Sequence, residues 1–163
     1  MIVLRKVGAV ALTTNDEETQ CVCDMIIVAY FFLLRPGKYT GAKSDSTPFR
    51  MCDITFSCGR AVFDQKSDKQ DLRSATMVML LFTTHKNGVK GEVVGQGPSG
   101  DPLLCPQDAL ARQIIHLRKH NVDKTRQIAS FMTPKGSWKH VTPTIITKVL
   151  KGAVSLSGET GRT

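Results

Sequence analysis

Arg35 stands at the end of ten consecutive apolar residues, 25–34, and Pro36-Gly37 follows it at once. A guanidinium carried on a rigid, buried support can meet two oxygens of a phosphate or carboxylate together. The plainer role for such a residue is a cation at a helix C-terminus, worth a few tenths of a kcal/mol. A second chemistry-bearing stretch is Thr84-His85-Lys86-Asn87-Gly88-Val89-Lys90, where Asn87-Gly88 favours a type I′ hairpin turn. An ammonium at such a tip, Lys86 or Lys90, either lies in water or delivers a proton to a nearby leaving oxygen. His116 and His120 stand four apart, a spacing that sets two imidazoles on one helix face and can hold zinc. With no carboxylate or thiol nearby in sequence, they read instead as part of a basic face with Arg112, Arg118 and Lys119. Gly95-Gln96-Gly97-Pro98-Ser99-Gly100 lacks the Lys-Ser/Thr of a phosphate-binding loop and carries Pro98 in its middle, so it reads as an ordinary connection. Trp138, flanked by Lys135, Lys139 and His140, reads as a core anchor before a nucleic-acid contact.

These residues need elements to position them. Asn15 and Asp16 followed by Glu17 and Glu18 announce a helix start, and Val22, Met25, Ile26, Ala29, Phe32 and Leu33 keep helical spacing. Apolar residues on its other faces predict a second half wrapped by protein, ending at Arg35 because Pro36 disfavours α geometry before it. Residues 41–50 read as a loop and 64–71 as a charged loop. Short strands at 52–56 and 61–63, a longer one at 75–84 and a returning one from Glu92 predict a small antiparallel sheet of three strands with a basic hairpin tip. Pro106 opens a helix over about 107–120 with Leu110, Ile114 and Leu117 inward. A polar connection leads to Thr142-Pro143, which caps a last helix with Lys148 and Lys151 outward. One α+β domain over 1–163 is expected: an apolar N-terminal helix, the sheet, then two or more helices.

The chain has 163 residues, long enough for a single core, and 22 Lys+Arg against 14 Asp+Glu give +8. That balance favours a polyanionic partner, because neutralising phosphates releases condensed counterions. Five irregularly spaced cysteines do not form a disulfide framework, and Cys21-Val22-Cys23 is not a zinc-knuckle pair. Buried free thiols and a reducing location are expected, intracellular and nuclear in a eukaryotic source. Residues 1–4 are too short an apolar run for a signal peptide, and 25–34 too short to span a bilayer, so no membrane is expected.

Taken in order, LLRPGKYT, the sheet with TTHKNGVKGE at its hairpin, and LCPQDALARQIIHLR resemble the catalytic core of tyrosine recombinases, the integrases of mobile elements, over about 15–155. In that family an arginine after an apolar helix and a hairpin lysine act on a DNA phosphodiester. A tyrosine attacks the phosphorus, with no metal and no energy cofactor. Arginines stabilise the charge on the non-bridging oxygens, and the lysine protonates the leaving 5′-oxygen. The resemblance implies that Arg35 and Lys86 are the catalytic remnants.

The chain also departs from the family pattern. Lys38 stands where the family usually has glutamate. The tyrosines, Tyr30 and Tyr39, lie beside Arg35 and not in the C-terminal place of the nucleophile, and no H-x-x-R follows the last helix. Strand cleavage would then need groups from another chain. The expectation is a DNA-binding fragment of a recombinase core, inactive alone, that binds double-stranded DNA through Lys90, Arg112, Arg118, Lys119, Lys148 and Lys151. Self-association on DNA is expected, and no cofactor, metal or small-molecule substrate. The competing expectation is a small basic protein-interaction domain, a decayed remnant of the same fold.

Overall fold

The computed structural model describes residues 1–40, 48–83 and 91–156. It opens with a helix that the sequence pattern does not announce, α1 (Ile2–Thr13). Its buried side chains Val7 and Ala11 stand four apart, on one side of the helix. Gly8 lies between them, and any Cβ there would meet the Leu103 carbonyl oxygen at 1.9 Å. Backbone touches backbone at that point, and only glycine fits.

The apolar helix is α2 (Glu17–Phe32), capped by Asp16, whose carboxylate accepts from the Thr19 amide at 2.9 Å. Every residue from Cys21 to Val28 is buried, so the wrapped stretch is the middle of the helix. Burial thins afterwards, and Tyr30 is half exposed. The helix ends earlier than Arg35. Leu33 takes the left-handed conformation at φ 51°, and the Leu34 amide reaches back to the Ala29 carbonyl at 3.0 Å. That six-to-one bond closes the helix in the manner of a glycine cap. Arg35 is extended and caps the next short helix instead, α3 (Pro36–Tyr39), with Pro36 in its first turn.

A turn of 3-10 helix (Met51–Asp53) leads into the sheet. The sheet has four strands, one for each of the four segments the sequence marks, and not three: β1 (Ile54–Cys58), β2 (Ala61–Phe63), β3 (Met77–Phe82) and β4 (Glu92–Gln96). All neighbours are antiparallel in the order β2-β1-β3-β4. Ile54 opposes Leu80 and Phe56 opposes Val78, and these four are buried, with Phe82 further along the same face. Alternation along β1 and β3 therefore marks one face against the core and one outward. Between β2 and β3 the charged stretch is partly helical, α4 (Lys69–Ser74), because Leu72 folds wholly into the core.

The helix after the sheet is α5 (Pro106–Arg118), packed on α2, α4 and β3. Gln113 on its buried face donates to the Ile128 and Ser130 carbonyls, both at 2.8 Å. These bonds hold the next segment, which is not a plain connection but a two-stranded ribbon, β5 (Ser130–Met132) and β6 (Trp138–His140). Its turn places Gly136 at φ 82°. The last helix, α6 (Pro143–Leu156), begins as expected, with the Thr142 hydroxyl accepting from the Ile145 amide, and it packs on α1 and α2. The result is a mixed α and β fold around one cluster of buried side chains. No helix among the described residues is long and apolar enough to cross a membrane.

Candidate functional site

Two places combine functional side chains. The first surrounds Arg35. Its side chain is exposed, at the start of α3 and not at the negative end of α2. The α3 turn is fixed by Lys38, whose carbonyl accepts from the Phe49 amide at 3.0 Å and whose Nζ stands 5.9 Å from the ring centres of both Phe49 and Phe82. Burial draws the Lys38 amine below its usual range, while the nearby Asp53 carboxylate supports its charge. Phe82 is the last residue of β3, and its carbonyl accepts from the Gly91 amide at 3.0 Å. On the other side, Gln96 at the end of β4 donates to the Phe31 carbonyl. The RPGKY turn and the root of the β3–β4 hairpin therefore form one packed corner, and the end of α2 is tied to the opposite end of β4. Lys86 and Lys90 fall outside the described residues.

Neither tyrosine is shaped as a nucleophile. Burial raises the Tyr39 phenol, opposite to the shift that activates one. Tyr30 is half exposed, with its hydroxyl beside the Met1 sulfur.

The second place is the seam between α2 and α5. Arg112 is only partly exposed and turns its guanidinium inward. Its guanidinium donates through Nη2 at 2.6 Å and Nε at 3.2 Å to the carboxylate of Asp24, which is fully buried. Burial outweighs the attraction of Arg112 and pushes the Asp24 carboxyl up to about 7. An acid inside the helix pair consumes the charge that a basic face would offer to DNA. Arg118 is half-buried and donates to the Ser67 carbonyl at 2.6 Å, tying the end of α5 to the loop before α4. Lys119, Lys148 and Lys151 are exposed as expected. Lys148 and Lys151 flank an open groove of about 510 Å³ on α6 with Pro143, Thr144 and Thr147.

One turn beyond Arg112, the histidines gain the partner that sequence proximity does not provide. Glu17, at the first turn of α2, brings its Oε2 to 3.2 Å from Nε2 of both His116 and His120. His116 is buried, and burial lowers its pKa, keeping the ring neutral despite Glu17. Its Nε2 is near the carboxylate but not aligned for a hydrogen bond, and it has no other partner. The His120 ring is half-buried and stands edge-on to Trp138, 5.4 Å between centres. Trp138 packs on the core from β6 and carries the Arg126 guanidinium 4.4 Å from its ring centre, so it is the anchor expected. The signal that could have found the cluster is the antiparallel pairing of α2 and α5, which joins residues about a hundred positions apart.

The cysteines are free, and Cys21, Cys23 and Cys105 are buried. Burial pushes the Cys23 thiol up to about 12, which makes it inert at neutral pH.

No protein-family model, no curated protein and no solved structure matches this chain.

Proposed function

We propose that the chain binds duplex DNA as part of a tyrosine-recombinase catalytic core, with Arg35 and Lys86 directed at a phosphodiester and with no strand cleavage by this chain alone. The observation that carries the reading is the packed corner. Lys38, three residues after Arg35, lies on Phe82, four residues before Lys86, so a cation on α3 and a cation on the hairpin arise from one small region. A phosphate-gripping pair requires its two cations to converge, and the motif order and the net charge of +8 support that reading. Lys119, Lys148 and Lys151, with Lys90, serve as backbone contacts, which position a duplex without reading its sequence. Arg112 and Arg118 already make internal contacts, so the reading rests its backbone contacts on the exposed lysines.

Fluorescence anisotropy with a labelled duplex, followed across a salt series, tests this. Binding weakens steeply with salt, and Arg35→Ala lowers the slope of log K against log salt by about one. A nicked suicide duplex gives no covalent adduct. Absence of duplex binding at low salt overturns the proposal.

A further inference from the structure

We propose that Glu17, His116 and His120 form a binding site for a first-row divalent cation of the zinc type, with one coordination position open to the cleft beside it. Two imidazole nitrogens and a carboxylate oxygen are the donor set such ions take, and three protein donors leave a place for water or an outside ligand. The ligating atoms of the three residues all lie within 4.8 Å of one another. Donors at about 2.0–2.1 Å from a tetrahedral ion stand roughly 3.3 Å apart. The two Glu17–histidine separations of 3.2 Å match that edge. The third edge closes by rotation of His120, the less buried ring.

A second observation points independently to a ligand. His116 Nε2 is buried without a hydrogen-bond partner, although a carboxylate oxygen stands 3.2 Å away. A buried nitrogen left in that condition is costly. An ion seated between the nitrogen and the oxygen satisfies both at once. The Glu17–His120 contact has hydrogen-bond geometry, whereas His116 meets the same carboxylate at the same distance without it.

The surroundings allow an ion to enter. A cleft of about 260 Å³ lined by Asn15, Asp16, Glu17, Met132, Thr133 and Pro134 reaches Glu17. The histidines occupy the last turn of α5 and the residues after it, where open carbonyls favour positive charge. The N-terminus of α2 works against this, and so does Lys119; the Glu17 charge offsets them. Because the ligands come from the start of α2 and from the end of α5 and the residues just after it, an ion here joins the beginning of one helix to the end of another, a structural clamp with a wet side.

Isothermal titration of the full chain, freed of metal with a chelator, with zinc chloride tests the site. One equivalent binds, and the melting temperature rises with zinc concentration until the site saturates. Glu17→Gln and His120→Ala each weaken binding by about tenfold or more, because two donors no longer fix the ion. His140→Ala, which removes a histidine outside the cluster, leaves the affinity unchanged. Cobalt(II) gives the visible absorption of a tetrahedral site in the parent chain and not in Glu17→Gln. Glu17→Gln preserves size and helix, and its chelator-treated melt, matched to that of the parent, separates lost binding from lost folding. Zinc affinity that is absent, or that survives both substitutions, overturns the proposal.

Discussion

α2 and α5 meet twice through an acid on the first helix and cationic or ionisable side chains on the second, and the two meetings end differently. At Asp24–Arg112 the seam is closed: a planar guanidinium covers both carboxylate oxygens inside the core. At Glu17–His116–His120 the seam is open: one carboxylate faces two imidazoles, one ring nitrogen is unsatisfied, and a cleft adjoins. The difference teaches that charge type is not role. The arginine, the residue that sequence assigns to a partner, holds the protein together. The histidines, assigned to a basic face, carry the unsatisfied ring nitrogen.

The comparison breaks most visibly at its closed end. Arg112→Ala leaves Asp24 buried without its partner and lowers unfolding free energy by about 3–5 kcal/mol at pH 8, read from urea denaturation. Replacing both partners by apolar residues, Asp24→Leu with Arg112→Met, costs less than Arg112→Ala alone. A double variant less stable than the single one would show that the pair contributes more than mutual neutralisation.

The second effect is a pH dependence. Asp24 titrates near 7 in the folded chain against an ordinary value of 3.8. Between those values the folded state holds a proton that the unfolded state releases. Its contribution to stability is therefore fully present below about pH 4 and lost as pH rises through 7. Asp24→Asn removes this slope, and the Arg112→Ala penalty shrinks as pH falls because the orphaned acid becomes neutral. Urea midpoints between pH 4 and 8 read both.

The open end answers with the smallest change. Without metal, Glu17→Gln alters stability by no more than about 0.5 kcal/mol, since the group is partly solvated and its interactions are replaceable. A loss comparable to that of Arg112→Ala would make the two ends equivalent and remove the contrast.

Legibility in the sequence tracks the range of the physics involved. The start of α2, the bounds of α5 and the cap of α6 are set by neighbours within four residues, and these are readable. The end of α2 is misplaced by sequence because a leucine at φ 51° takes the place of the expected glycine or proline signal. α1 escapes because it lacks a side-chain cap and carries Gly8, which lowers helix propensity. β5 and β6 have three residues each, too few to show alternation. Arg35 and Lys86 can be singled out because local turns frame them. The Glu17 cluster and the Arg112 pair depend on contacts spanning 88 to 103 residues, which no local pattern encodes.

The missing methyl at Gly8 has a practical meaning for anyone dissecting this chain. Interlocking of main chain with main chain leaves no side-chain cushion, so the opening helix is a keystone and not a removable leader. Trimming to residue 15 would strip the cover from α2 and α6 and expose apolar surface to aggregation. Shortened versions should begin at Met1.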